Sequence, residues 1–298
     1  MSSATLAVLA SWSFDPAVVL GLALAALLYA AGLRRLRTRS RVPIVPPWRL
    51  WCWFLGLAVV ALALLSPIGT FGAALFFVHM IEHLLLLLVA PPLLWLGAPL
   101  LPLLWAFPRQ ERRALGRLFR EDHPVHRLFH LLTDAWVTSL LFFVAVALWH
   151  LPRFYDAAQG VTAVHGLEHG VFFGAAMLYW WPVIHPTGGR RRLGYGMSLL
   201  YLFAANVEGI IIGAPLTFAT HVVYAYYADV PRVTSLTALD DQELGGLIMW
   251  VPTSLYWLGA LVAVLIRWFS QEQHLQSQLK RPAPSAATAE GWSEGTTS

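Results

Sequence analysis

The chain is poor in three things, and each shortage removes a class of chemistry. Cys52 is its single cysteine, so neither a disulfide framework nor a CxxC metal or redox motif can form, and soft thiolate ligation is excluded. Lys280, in the C-terminal tail, is its single lysine, which leaves no Schiff base within a bundle and excludes a retinal-type receptor or pump. Charged residues are only 12% of the 298, against 58% hydrophobic and a mean hydropathy of +0.61, far too apolar for a soluble domain of this size. What the chain has instead is long apolar runs. Several reach the ~20 residues that a helix needs to cross ~30 Å of hydrocarbon, and none alternates as a barrel strand does. The stretch from Met1 to Pro16 carries no basic residue and no clear cleavage pattern, so the first span is expected to be retained.

The expected fold is all-α: a polytopic membrane helical bundle of about seven transmembrane helices, over 16–33, 48–66, 72–96, 134–151, 161–184, 195–216 and 244–268. Basic residues orient it, because cytoplasmic loops retain them. Arg34, Arg35, Arg37, Arg39, Arg41 and Arg49 follow the first span; Arg109, Arg112, Arg113, Arg117, Arg120 and Arg127 fill the next alternate loop; Arg190, Arg191 and Arg192 fill a third. Arg267, Lys280 and Arg281 follow the last span, which leaves only Arg153 and Arg232 of the twenty on the other side. The N-terminus is therefore expected outside and the C-terminus inside. The pI near 9.5 reflects this topology and anionic lipid headgroups, and no nucleic-acid partner is expected. Residues 1–270 make the bundle, with an amphipathic cytoplasmic connector at about 109–133 in which Leu115, Leu118, Phe119, Leu128 and Phe129 interleave with arginine. The polar tail, 271–298, with Pro282 and Pro284, is expected to be disordered.

One pentad occurs twice, as His79-Met80-Ile81-Glu82-His83 and His165-Gly166-Leu167-Glu168-His169, each preceded by valine and each near the start of a span running inward. On a helix, positions i, i+3 and i+4 share a face, so each pentad presents two imidazoles and a carboxylate together. A charge at bilayer depth costs about 2.5–3.5 kcal/mol on insertion scales, so such residues face the interior and pair. With ~1.5 Å of rise per residue, Glu82 and Glu168 lie roughly 10–15 Å below the outer boundary. Spans three and five run the same way, so the two copies are expected to face each other and to hold a metal through His79, Glu82, His83, His165, Glu168 and His169. Glu208, His150, His221, Asp240 and Asp241 fall in the same outer stratum and are secondary candidates along an access path.

Blander readings apply to several of these. His150, His221 and Glu208 read as readily as hydrogen-bonded packing residues. Asp240 and Asp241 suit the cap of the last span. Met80 and Met249 suit packing, and His123, His126 and His130 suit a solvated or headgroup-facing surface. Imidazole and carboxylate ligands without thiolate are compatible with zinc, copper, iron or nickel. A bis-His haem redox protein is an alternative, since two parallel helices could supply axial ligands. A membrane metallohydrolase is another, since HxxEH spells a peptidase zinc site, although that site needs one pentad and a distant third ligand, not two pentads.

The chain resembles the CtaG family of cytochrome c oxidase assembly factors, the multi-spanning kind associated with caa-type oxidases. The passages that carry the resemblance are the first pentad running into Ala90-Pro91-Pro92 and Leu96-Gly97-Ala98-Pro99, then Trp149-His150-Leu151-Pro152 with Tyr155-Asp156-Ala157-Ala158, the second pentad with Trp180-Trp181-Pro182, Leu239-Asp240-Asp241-Gln242, and Gly245-Gly246-Leu247-Ile248-Met249-Trp250. The resemblance implies a non-enzymatic, metal-handling factor of the bacterial cytoplasmic (inner) membrane that matures a haem–copper oxidase at an exported copper centre. Copper is then the expected metal. The expected partners are the oxidase subunits, above all the one with the exported copper domain, with membrane lipid and further copies of the chain in a homo-oligomer.

The basic-residue asymmetry makes a testable topology. Reporter fusions at Arg39, Arg113 and Gly188 are expected to read cytoplasmic and those at Gln159 and Ser235 exported. A cytoplasmic reading at Gln159 would put both pentads on the wrong side for an exported copper centre.

Overall fold

Proline opens many of the helices. The computed structural model describes residues 12–39, 44–120, 122–184 and 193–279, and every regular element among them is helical. Helices α1 (Pro16–Arg37), α2 (Pro47–Leu65), α3 (Pro67–Gly72), α8 (Pro124–Leu132) and α10 (Pro152–Gly160) all begin on proline. There the missing N–H costs nothing and the fixed φ is already helical. Asp15 caps α1, accepting from Ala17 and Val18 N–H at 2.8 and 3.3 Å. Ser66 caps α3, and Asp134 caps α9 (Ala135–Trp149). The other elements are α4 (Phe76–Leu84), α5 (Ala90–Leu96), α6 (Leu100–Trp105), α7 (Arg109–Leu118), α11 (Thr162–Ile184), α12 (Tyr195–Thr217), α13 (Ala225–Asp229) and α14 (Ala238–Leu279).

Among the described residues, five helical stretches are long and apolar enough to cross a membrane: α1, α2, Phe76–Leu96, α12 and α14. A sixth arises if α8 and α9, which meet at 62°, count as one bent span. Seven were expected. The remaining one, α11, has the length at 23 residues, but His165, Glu168 and His169 dilute its apolar character. The connector expected at 109–133 holds two short helices, α7 and α8. α14 continues through Gln271 to Leu279, past the point where the tail was expected to begin. Arg41, Arg190–Arg192 and residues 280–298 lie outside the described residues.

The third span, Phe76–Leu96, is broken by its own sequence. Pro91 and Pro92 have no N–H to give to the carbonyls four residues back, Leu87 and Leu88. The helix widens just ahead of them into one π turn, Leu85–Val89. In hydrocarbon a freed carbonyl needs another donor, from a neighbouring helix or a nearby hydroxyl. Trp180 Nε1 donates to Leu87 O at 3.2 Å, and the Tyr256 hydroxyl donates to Leu88 O at 2.5 Å. Pro252 repeats the pattern in α14, where Thr253 Oγ1 donates to the Ile248 carbonyl at 3.2 Å. The proline pair thus ties the first pentad's span to α11 and α14. α12 and α14 pack backbone to backbone: a Cβ on Gly213 would lie 2.9 Å from Gly246 O, and one on Gly246 would lie 2.6 Å from Thr217 N. Only small residues permit that approach.

Trp180→Phe and Tyr256→Phe each remove a donor without removing a ring. Each is expected to leave one buried carbonyl unpaired and cost about 1–3 kcal/mol, read as a lowered unfolding midpoint in detergent; unchanged midpoints in both would mean that the freed carbonyls are satisfied elsewhere.

Candidate metal centre

The helix that carries the first pentad cannot cap itself. Its N-cap position is Leu75, which offers no side-chain acceptor. The cap comes from far along the chain: Asp241 Oδ2 accepts from Phe76 N–H at 2.9 Å and Oδ1 from Phe77 N–H at 3.0 Å. Arg232 holds that carboxylate at 3.3 Å. One turn further along α14, a Cβ on Gly245 would collide with the Phe76 ring, so α4 sits at a set depth and rotation against α14. His79 is the fourth residue of α4 and His165 the fourth of α11; the two pentads enter the bundle at matched positions.

All six expected ligands meet. Glu82 Oε1 lies 3.7 Å from His169 Nε2 and Glu82 Oε2 lies 3.7 Å from His79 Nδ1. Glu168 Oε2 lies 4.0 Å from His79 Nε2 and Glu168 Oε1 lies 3.9 Å from His83 Nε2. Each glutamate therefore reaches imidazoles of the other pentad. The rings are close: centroids are 4.1 Å apart for His79 and His83, 4.3 Å for His165 and His169, and 5.3 Å for both His79–His165 and His83–His169. Two overlapping quartets, His79/His83/Glu168/His169 and His79/Glu82/His165/His169, each bring four ligand atoms within 4.8 Å of one another.

His79, Glu82, His83 and Glu168 are buried, and among the described residues the ion-pair partners of both glutamates are histidines alone. Buried atoms of this group lack hydrogen-bond partners: His79 Nδ1, both His83 nitrogens, His165 Nε2, His169 Nε2, Glu82 Oε2 and both Glu168 oxygens. Native interiors rarely leave so many polar atoms unpaired in one place, and an ion is a standard reason. The donor set, four imidazoles and two carboxylates, fits a transition metal. A cavity of about 510 Å³ reaches Glu82, His165 and His169, and the exposed Ser13, Asp15, Thr70 and Thr162 line its mouth.

The secondary candidates separate. His150 lies beside His83, ring centroids 6.4 Å apart, with Nδ1 2.7 Å from Val146 O and Nε2 unpaired. It shares a small cavity on the far side of His83 with Glu208, Met80 and Met249. His221 is exposed, and its carbonyl accepts from Gln242 Nε2 at 3.2 Å. Asp240 pairs with the hydroxyl and N–H of Thr237 at 2.7 and 2.9 Å while Thr237 Oγ1 accepts from Asp240 N–H at 3.1 Å, a capping box that opens α14. Asp241 caps α4 and not the helix that bears it.

Other functional neighbours escaped the sequence reading. Gln159 Nε2 lies 3.1 Å from His79 Nε2. Over His79 sits a buried aromatic cap of Phe76, Tyr155, Tyr224 and Tyr227. Tyr227 OH donates to Gly72 O at 2.7 Å and Tyr224 OH to His150 O at 3.1 Å, so the cap ties three loops across the centre. Burial pushes the phenols of Tyr155, Tyr224 and Tyr227 up, which keeps them protonated donors. The available signal was Tyr155 in the conspicuous Tyr155-Asp156 pair and the tyrosines crowded at 224–227; their contacts join short helices and helix ends, too brief for a periodicity to be read.

The family described as cytochrome c oxidase caa3 assembly factor (Caa3_CtaG) matches residues 27–271. An uncharacterized protein of Mycobacterium bovis and another of Mycobacterium tuberculosis are each 30% identical over 93% of this chain, and an uncharacterized protein of Mycobacterium leprae is 29% identical over 92%. The chain spans 42% of the length of each of these relatives. No solved structure matches.

The two aspartates give a discriminating pair of substitutions. Asp241→Ala uncaps α4 and removes Arg232's carboxylate partner; it is expected to cost roughly 1–3 kcal/mol and, by loosening the first pentad, to weaken zinc binding about 10-fold. Asp240→Ala is expected to cost about 1 kcal/mol with zinc affinity unchanged. Equal effects of the two on zinc affinity, measured by competition with a chromophoric chelator, would sink this assignment of the Asp241 cap.

Proposed function

Because this chain belongs to the family of cytochrome c oxidase caa3 assembly factors, we propose that it is a membrane-embedded, non-enzymatic assembly factor that handles copper for the oxidase at the centre built by His79, Glu82, His83, His165, Glu168 and His169. The observation that carries the reading is the convergence of both pentads into one largely buried cluster, many of whose ligand atoms lack hydrogen-bond partners. Copper is cargo here. Imidazoles hold it without thiolate, so it can leave for a stronger site, and the two carboxylates, whose ion-pair partners among the described residues are histidines alone, balance its charge. The side chains must be deprotonated to bind, so loading releases protons and release of the ion takes them up.

The cavity that reaches Glu82, His165 and His169 is the route by which an ion and its recipient gain access. With the termini placed as the basic residues indicate, that mouth faces outward, toward the copper domain of an oxidase subunit exported across the bacterial inner membrane. A haem is disfavoured by the same distances. Carboxylate oxygens stand within 4.0 Å of imidazole nitrogens from both helices, so a macrocycle between the histidines would have to displace both glutamates.

Protein purified in mild detergent is expected to bind copper or zinc and to show no Soret band. Ligands that act as a unit are non-additive when removed. His83→Ala and His169→Ala should each abolish oxidase maturation about as fully as the double variant, with oxidase activity normalised to the amount of this protein. Full activity per molecule in His83→Ala would return the pentads to a packing role, and a stoichiometric Soret band would favour the haem reading.

A further inference from the structure

We infer that the centre holds two metal ions in separate positions, one on each side of the His79 ring; the inference rests on the metal-binding reading above. The argument starts from a single imidazole. The lone-pair directions of Nδ1 and Nε2 diverge across the ring, so both nitrogens of one histidine cannot point at the same ion. His79 directs Nδ1 toward Glu82, at 3.7 Å, and Nε2 toward Glu168, at 4.0 Å. The two carboxylates therefore stand on opposite sides of a wholly buried ring and do not converge on one point through it.

Each carboxylate has its own complement of imidazoles. Around Glu82 are His79 Nδ1, His169 Nε2 at 3.7 Å, and His165, which completes one quartet. Around Glu168 are His79 Nε2, His83 Nε2 at 3.9 Å, and His169, which completes the other. The first quartet faces the cavity through Glu82, His165 and His169. The second is the deeper one, with His79, His83 and Glu168 buried. His79 and His169 belong to both, so an ion can pass from the outer to the inner position without being released. Gln159, 3.1 Å from His79 Nε2, is the neighbour that an inner ion has to displace.

A His79 that holds an ion at each nitrogen gives up its N–H proton when the second ion loads, so the two ions face two carboxylates and one imidazolate, with histidines as the carboxylates' only ion-pair partners among the described residues. Six side chains also exceed what one four-coordinate ion can use.

The test is stoichiometry on the full chain in detergent, loaded anaerobically with cuprous ion from a competing chelator, then separated by gel filtration and assayed for metal. Wild type is expected to retain two copper ions per chain. Removing one ligand from one quartet, with His165→Ala for the outer or His83→Ala for the inner, is expected to leave one. His79→Ala, which cuts both, is expected to weaken both ions by at least about 10-fold. Variants are compared only where they elute as wild type does. A measurement on wild type alone covers the case in which they do not: oxidation of the loaded protein should give a spin-coupled copper pair in its paramagnetic resonance spectrum. Saturation at one ion per chain, lost equally in His165→Ala and His83→Ala, or an isolated copper signal, would overturn the two-position inference and leave copper handling standing. Binding of no copper at all would overturn both.

Discussion

Two carboxylates buried among four imidazoles, with no lysine or arginine paired to them among the described residues, impose the central constraint on this molecule. Each charge at such depth costs several kcal/mol, and an unpaired buried polar atom adds to that cost. Glu82 and Glu168 reduce it by reaching across to histidines of the opposite helix. That mutual reach requires α4 and the start of α11 to be held at a fixed separation and rotation. The π turn, the proline pair and the aromatic cap are the parts that hold them.

The restraint comes from distant chain segments. Asp241 clamps the first turn of α4 from the start of α14. Trp180 and Tyr256 take up the carbonyls that Pro91 and Pro92 release. Tyr227, Tyr224 and Arg232 fasten the loops above His79 to Gly72, His150 and Asp241. Each of these is a polar bond within or beside an apolar bundle, where packing alone lacks the directionality to position a ligand. The restrained side faces α14; the other side opens to a cavity lined by Ser13, Asp15 and Thr162 together with apolar Val60, Leu64 and Phe173.

A good part of this was legible in the amino-acid order. Apolar runs longer than a bilayer is thick mark an all-helical membrane chain, and the repeated HxxEH pentad marks its chemistry, because i, i+3 and i+4 always share one helix face. Proline and aspartate mark where α1, α9 and α10 begin. Periodicity does not tell one helix which neighbour it will meet, and there the reading ran out. Asp240 and Asp241 are adjacent and chemically identical, yet one closes a capping box on its own helix and the other caps a helix 165 residues away. Gln159, set in a nine-residue helix outside both pentads, gave no hint that it touches His79. The span count also depended on more than hydropathy, since α11 is made polar by the residues that matter most to it.

Sequence alone determined that this chain is helical, apolar enough for a membrane, limited to one cysteine, and equipped with two copies of a His/Glu-bearing turn; these follow from composition and from the fixed geometry of one helix. Only the tertiary structure decided that the two turns form one centre, that each glutamate serves the other's histidines, and that His79 stands between the two carboxylates. Those are relations between helices, set by where Asp241 caps, where proline frees a carbonyl and where glycine lets two backbones touch, and no local pattern encodes them.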